Sequence, residues 1–115
     1  MGDETELRSK TELLPGTLDL LLLKTVSLEP MHGYGIAQRL RQISQDVLQI
    51  EEGSLYPALQ RLLNKGWIAG EWKQTENNRR ARYYRLTAAG RKQLKTEKED
   101  FERLMGAIVR VMKTV

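Results

Sequence analysis

The stretch that decides the fold is residues 53–66, which read GSLYPALQRLLNKG. Apolar residues recur there at spacings of three and four, as on the buried face of an amphipathic helix: Leu55, Leu59, Leu62 and Leu63. Ser54 can cap this helix, and Pro57 stands in its first turn, where the missing N–H costs nothing. Lys65-Gly66 is typical of a helix end, with a cation in the last turn and a glycine after it. We therefore predict a helix over about 53–65.

Two further helices are predicted upstream of this one. The first begins with Thr17 as its N-cap and runs to about Leu28, shortly before a proline that cannot continue it. It is apolar on more than one face, so it needs partners beyond a single neighbour. The second covers 36–44, and a short β-prone piece over 47–50 separates it from the third.

Two strands and a last helix are predicted downstream. Alternating apolar residues indicate strands over 67–73 and 82–86, joined by 74–81, whose asparagines tolerate the left-handed conformations of a turn. Thr87 is typical of the N-cap of a final helix. The segment therefore predicts a β-hairpin with a long basic tip, followed by one long helix.

Three helices followed by a hairpin are the order of a winged helix-turn-helix. We therefore predict an α+β fold, mainly α with a small β wing, that is extended by a long C-terminal helix. The expected boundaries are a loose N-terminal tail over 1–13, the winged helix over 14–86 and a C-terminal dimerisation helix over 87–115. The last helix carries an apolar stripe that one small monomer has no surface left to cover, which indicates a second copy. Its members are Phe101, Leu104, Met105, Ile108, Val109 and Met112.

Charge and composition narrow the classes of function. The net charge is +4, and the segment from Lys73 to Arg85 alone holds five cations against one carboxylate, so an anionic partner is expected. The chain has no cysteine and one histidine, which excludes disulfides, thiolate catalysis and clustered Cys or His metal sites. No nucleophile–base pair or phosphate loop is recognisable, so we predict no catalytic residue, no metal and no cofactor.

Nothing in the sequence directs the chain to a membrane. The longest apolar run, Leu20 to Leu23, is far short of the roughly 20 residues of a membrane span. The acidic first twelve residues are unlike a signal peptide. These features predict a cytoplasmic, nucleoid-associated protein with no membrane partner.

Double-stranded DNA is the anionic partner that suits this fold. The third helix would enter the major groove, and the wing would follow the backbone or the minor groove. Gln60 and Arg61 are the candidates for reading base edges. The other candidate contacts are Ser54, Tyr56 and Lys65 on the helix and Lys73, Arg79, Arg80 and Arg82 on the wing. The alternative for the wing is a charged tip that water merely solvates.

The remaining aromatic and titratable residues are assigned to structure. Trp67 and Trp72 are expected in the core rather than in a ligand stack, since aromatic residues on a short strand usually pack inward. His32 is expected to be structural or to face a phosphate. Glu51-Glu52 resembles a carboxylate pair, but adjacent side chains diverge on a helix and no partner base is apparent.

Three motifs together resemble the PadR family of regulators. They are Met31-His32-Gly33-Tyr34, the run EGSLYPAL over 52–59 and the run RYYRLTAAG over 82–90. The resemblance extends from Leu14 to the end of the chain, and the short C-terminus resembles the small subfamily with a single C-terminal dimerisation helix.

The resemblance implies a homodimer that is usually a repressor. In the family, the last helix of each subunit packs on the first and last helices of its mate, which adds Leu18 and Leu22 to the predicted interface. Tyr34 joins Tyr56 and the wing cations among the expected DNA contacts. Some small members bind planar drugs between tryptophans of the last helix; that helix has only Phe101 here, so any small-molecule effector stays unidentified.

Taken together, the residues and the resemblance predict a sequence-specific DNA-binding repressor. Dimer symmetry predicts a pseudo-palindromic operator with half-sites about one helical turn apart. The alternative is a winged-helix module that binds another protein through its basic tip, without specific DNA binding.

Overall fold

A computed structural model describes residues 16–115, so the predicted tail over 1–13 lies outside the described residues. The described part contains four helices and one three-stranded antiparallel sheet. In chain order the elements are α1 (Thr17–Leu28), β1 (Met31–His32), α2 (Gly33–Ile43), α3 (Glu52–Asn64), β2 (Ile68–Gln74), β3 (Arg80–Leu86) and α4 (Ala88–Met112). This order confirms the predicted α+β winged helix with a long C-terminal helix.

The wing is the hairpin of β2 and β3, and it is longer than the sequence predicted. The two strands pair from Ile68 opposite Leu86 to Gln74 opposite Arg80, so β3 begins two residues earlier than expected. Asn78 closes the turn with a φ of 60°, in the left-handed region that asparagine tolerates. The short β1 pairs with β3, which makes β3 the central strand of the sheet.

One core joins the helices to the sheet. Its buried apolar side chains come from α1, α2, α3 and all three strands: Leu22, Leu23, Val26, Met31, Ile36, Leu40, Leu55, Ala58, Leu59, Leu62, Ile68, Tyr84 and Leu86. The predicted inner stripe of the third helix is therefore confirmed at Leu55, Leu59 and Leu62, and Leu63 is partly buried beside it.

Leu22 belongs to this core, which corrects its place in the predicted dimer interface. Its side chain is fully buried within one protomer, whereas Leu18, one turn earlier on α1, is only partly buried. A buried leucine contacts its own chain and has no surface left for a partner. The overly apolar α1 is thus explained mainly by neighbours in its own protomer.

Three predicted helix starts and one strand differ from the structure. Gly16 precedes α1 in the left-handed conformation, and no side chain caps that helix. α3 begins at Glu52, so Ser54 lies inside its first turn rather than at its cap; the carbonyl of Glu51 accepts the first bonds instead. α2 begins at Gly33, earlier than predicted. The β-prone piece over 47–50 forms a loop, not a strand.

α4 is tied to the base of the wing through its first turn. The Thr87 hydroxyl accepts from the backbone N–H of Gly90 at 3.0 Å, which confirms the predicted N-cap, and donates to the carbonyl of Gly66 at 2.7 Å. A side chain at Gly90 would collide with the carbonyl of Trp67, so only glycine allows this close approach. Beyond this anchor the apolar stripe of α4, from Phe101 to Met112, is exposed in the protomer.

Candidate nucleic-acid interface

A cleft of about 470 Å³ lies where the starts of α2 and α3 face the wing. It brings together Tyr34 from α2, Tyr56 from α3, and Arg80 and Arg82 from β3. These four residues were predicted separately as DNA contacts, from three different elements. The cleft also contains Trp72, which is not among the predicted DNA contacts.

Tyr56 is held by a close contact with the first residue of α2. A Cβ at Gly33 would lie 2.8 Å from Cε1 of Tyr56 and 3.1 Å from its hydroxyl. Gly33 is buried, while 46% of the Tyr56 side chain remains exposed. The absence of a side chain at Gly33 therefore lets the phenol approach α2 closely while Tyr56 lines the cleft.

Arg82 lies across the sheet in the space left by a second glycine. Gly70 is its diagonal neighbour on β2, and a side chain there would collide with the Arg82 guanidinium. The guanidinium carbon stands 5.9 Å from the ring centre of Tyr84, within the range of cation–π contacts. Nε of Arg82 is buried and has no hydrogen-bond partner within the described residues. This cation is therefore positioned by packing rather than by an ion pair.

Burial is the main influence on the pKa of Tyr84, which lines the cleft. It raises the pKa of the Tyr84 phenol above its usual value of 10.0, although the Arg82 charge acts in the opposite direction and Tyr56 adds to the rise. The Tyr84 phenol is accordingly held in its neutral form beside the Arg82 guanidinium.

Trp72 is exposed, contrary to the prediction that it lies in the core. It shares the inner face of β2 with Ile68, but the wing extends past the helices that cover Ile68, and 58% of Trp72 is exposed. The guanidinium carbon of Arg80 stands 5.5 Å from its ring centre. Trp67, by contrast, is partly buried against the core. The alternation along β2 predicts correctly which face of the strand carries Trp72. Its burial depends on how far the helices extend along the sheet, and the local sequence does not contain that information.

The other two wing cations lie away from the cleft. Lys73 is on the opposite face of the hairpin, because side chains alternate along a strand. Its Nζ is 4.0 Å from a carboxylate oxygen of Glu71 and 5.7 Å from the ring centre of Tyr83. Arg79 lies in the turn at the tip of the wing, where its side chain is exposed. The wing therefore presents cations on two faces and at its tip.

The predicted contacts of α3 divide between its two flanks. Gln60 lies one turn after Tyr56 and donates a hydrogen bond to Asn64 at 2.9 Å. Arg61 lies about 140° around the helix from Tyr56, and Nη2 of Arg61 is 2.9 Å from the Asp19 carboxylate on α1. Ser54 and Lys65 share the flank of Arg61, and Nζ of Lys65 stands 4.6 Å from the ring centre of Trp67. The cleft thus includes Tyr56 and not these three residues.

His32 has a structural role, which is one of the two roles that the sequence predicts for it. Its Nδ1 accepts a hydrogen bond from the backbone N–H of Gly35 at 2.9 Å and so caps α2. Its ring packs edge-on against Tyr83, with 5.5 Å between ring centres, and lies nearly parallel to Tyr34. The lone histidine therefore fixes the helix start that carries Tyr34.

Across residues 16–115, no helix is both long enough and apolar enough to cross a membrane. Over the same residues, no group of three or more His, Cys, Asp or Glu side chains is arranged to hold a metal ion.

Comparison with known proteins gives one family match, which covers residues 22–96 and is described as the transcriptional regulator PadR-like family. A curated relative, an uncharacterised protein of Lysinibacillus sphaericus, is 28% identical over 82 residues, which are 71% of this chain and 75% of the relative. A transcriptional regulator of Clostridium thermocellum is 27% identical with a TM-score of 0.76, over 95% of this chain and 99% of its own. A PadR-like transcriptional regulator of Bacillus cereus is 25% identical with a TM-score of 0.78, over 91% of this chain and 100% of its own.

Proposed function

Because the chain belongs to the PadR-like family of transcriptional regulators, we propose that this DNA-binding regulator, which is not an enzyme, acts as a homodimeric repressor on a pseudo-palindromic operator. Such a protein works on nucleoid DNA, so its place of action is the cytoplasm. The family membership favours this function over the alternative of a protein-binding module. No observation on the described residues favours that alternative.

The observation that carries the proposal is the cleft that α3 shares with the wing. A winged helix contacts DNA with its third helix and its wing at once, so both elements have to face the same side. Tyr56 at the start of α3 and Arg80 and Arg82 on β3 line one cavity. Phenol hydroxyls and guanidinium groups are common donors to phosphate oxygens, and such contacts fix the register of the protein on the duplex.

We assign the predicted DNA contacts to three groups. The first lines the cleft and approaches the backbone between the helix and the wing: Tyr34, Tyr56, Arg80 and Arg82. The second consists of Lys73 and Arg79, which neutralise phosphates along the wing or enter the minor groove, and of Gln60, which reads base edges. The third is the opposite flank of α3, with Ser54, Arg61 and Lys65. In that group Arg61 has to leave Asp19 before it can reach a base.

The proposed dimer joins two copies through α4 and the exposed part of α1. The stripe of Phe101, Leu104, Met105, Ile108 and Met112 is exposed over three turns of a 25-residue helix, and large exposed apolar surfaces of this kind mark protein interfaces. Leu18 is the α1 residue that contributes; Leu22 is not. The winged helix over 14–86 and the dimerisation helix over 87–115 then have separate tasks, and the two-fold axis places two copies of α3 about one helical turn apart.

The salt dependence of operator binding tests this proposal. A pseudo-palindromic site is first selected from genomic fragments with the purified protein, and its affinity is then measured by fluorescence anisotropy across a series of salt concentrations. The double variant Arg79→Ala/Arg80→Ala is expected to flatten the slope of log affinity against log salt by about 2 per protomer, since each lost phosphate contact removes about 0.9.

A matched control removes the same charge elsewhere. Lys92→Ala/Lys95→Ala lowers the net charge equally at two exposed positions of α4, and its slope is expected to equal that of the unmodified protein. A flat salt dependence of the unmodified protein, or equal slopes for the wing variant and this control, would contradict the assignment of the wing.

A further inference from the structure

A second cavity, of about 440 Å³, lies between α2 and the start of α3 and shares Tyr34 and Tyr56 with the wing cleft. Small-molecule sites are typically cavities of about 300–1,000 Å³ with a mainly apolar lining and a few convergent polar groups. We call this cavity the interhelical groove. The other residues that matter for its chemistry are Ala37, Arg41, Asp46, Ile50, Glu51, Glu52 and Leu55.

The floor of the interhelical groove is apolar. Leu55 is buried beneath it, and Ala37 and Ile50 are partly buried beside it. The rings of Tyr34 and Tyr56 stand at its edge and are 59% and 46% exposed. A ligand with an aromatic or aliphatic body would remove this surface from water.

The polar rim of the groove is negative, although the whole chain has a net charge of +4. Three carboxylates line it, from Asp46, Glu51 and Glu52, against the single cation of Arg41. Nε of Arg41 is 2.9 Å from Asp46, so that pair is internally compensated. Glu51 and Glu52 form no salt bridge with any residue in 16–115. Two uncompensated carboxylates thus stand beside an apolar floor.

We infer that the interhelical groove binds a small organic cation, namely a protonated amine on an aromatic or aliphatic body. The ammonium group would lie at the rim beside the carboxylates of Glu51 and Glu52 and would offset one of their two negative charges. The faces of Tyr34 and Tyr56 attract a cation through their π-electrons. The body of the ligand would cover Leu55 and Ile50.

The negative charge of the rim disfavours the other available occupants of the interhelical groove. DNA phosphates and small anions are repelled by the same two carboxylates. The fifteen residues that precede the described part carry four carboxylates and two cations, so their net negative charge is also a poor match for the negative rim of the groove. A cation with an apolar body is the class that satisfies the rim and the floor together.

Occupancy of the groove also regulates DNA binding, a step that rests on the proposed function. Tyr34 and Tyr56 line both cavities. Rings that pack on a bound amine are no longer free to contact the DNA backbone through the cleft. The amine therefore acts as an inducer that lowers operator affinity.

Three ligands that share a phenylethyl group and differ in their polar end group test the site on the full chain without DNA. The probes are 2-phenylethylamine, 2-phenylethanol and 3-phenylpropanoate, titrated into isotopically labelled protein and followed by amide chemical shifts. The amine is expected to bind about tenfold more tightly than the alcohol, the carboxylate is expected to bind least, and the shifts are expected between residues 34 and 56.

The variant Glu51→Gln/Glu52→Gln should reduce amine affinity to that of the alcohol, whereas the control Glu99→Gln/Glu102→Gln on α4 should leave it unchanged. Both pairs are exposed, and a melting curve checks that each variant is folded. Equal binding of the three probes, shifts centred on the apolar stripe of α4, or a preference for the amine that survives the Glu51/Glu52 substitutions would overturn the inference.

A second titration separates this inference from the proposed function. Saturating amine should weaken operator binding by the unmodified protein but not by the Glu51→Gln/Glu52→Gln variant. Unchanged operator affinity would refute the inducer role while the ligand site stands. Failure to select any operator in the absence of amine would instead refute the proposed function, and the binding of amine to free protein would be unaffected by that result.

Discussion

Replacing Gly33 with alanine should weaken operator binding although Gly33 itself contacts no DNA. The added Cβ would lie 2.8 Å from Cε1 of Tyr56, about 0.6 Å inside the 3.4 Å at which ordinary contact begins. The hydroxyl oxygen of Tyr56 at 3.1 Å and its Cζ at 3.2 Å would also be too close. Because Tyr56 is half exposed, its ring can swing away from α2 and out of the cleft.

Gly33→Ala is expected to change the free energy of unfolding and the free energy of operator binding by different amounts. Overpacking typically costs about 1–3 kcal/mol, and alanine in a helix recovers about 0.5–1 kcal/mol relative to glycine. The net loss of unfolding free energy should therefore be about 0–2.5 kcal/mol. For binding, a hydrogen bond to a charged group is worth about 1.5–3 kcal/mol. Loss of the Tyr56–phosphate contact should thus weaken the operator complex by about tenfold or more.

Fluorescence anisotropy titrations at one salt concentration measure the operator affinity, and urea denaturation measures the free energy of unfolding. Tyr56→Phe removes only the hydroxyl and should weaken binding to a similar extent. The double variant Gly33→Ala/Tyr56→Phe should bind about as well as either single variant, since both changes remove the same contact. Gly53→Ala is the matched control, because it adds the same methyl group to the first turn of α3, where nothing lies within 4 Å.

Two results would refute this reasoning. Unchanged operator affinity of Gly33→Ala would mean that the position of Tyr56 against α2 has no part in DNA binding. Strictly additive losses in the double variant would mean that Gly33→Ala acts by another route, such as a shift of α2 as a whole.

Three further outcomes follow from the packing. His32→Ala removes the cap of α2 and should lower the unfolding free energy by about 1 kcal/mol; equal urea midpoints would contradict the capping role. Ile108→Glu places a charge in the proposed dimer interface and should yield a folded monomer in light scattering, whereas an intact dimer would place the interface elsewhere. Because burial holds the folded-state pKa of Tyr84 above 10.0, stability should be fully present below pH 10 and should fall as the pH rises through the raised value; a Tyr84→Phe variant that loses stability equally would assign the fall to other groups.

The order of elements was predictable because it depends on local patterns. Leucines at helical spacing predict α3, alternating residues predict the hairpin, and Thr87 predicts the start of α4. Each of these signals is contained in fewer than about twenty consecutive residues, and the structure confirms all three. The apolar stripe of α4 was likewise visible as an unpaired surface.

The errors concern contacts between residues that are distant in sequence. The Arg61–Asp19 ion pair joins positions 42 residues apart, and no local spacing reveals it. The burial of Leu22 and the exposure of Trp72 depend on how far neighbouring elements extend. The same holds for the cleft itself, whose shape depends on the close approach of Gly33 and Tyr56 from separate helices.

Hydroxyl-radical footprinting of the selected operator tests most directly whether α3 and the wing form one DNA-facing surface that a dimer doubles. The account predicts two protected half-sites about one helical turn apart on one side of the duplex, each losing its wing-proximal protection in the Arg79→Ala/Arg80→Ala variant. A single protected segment without two-fold symmetry, or a footprint that this variant leaves unaltered, would contradict it.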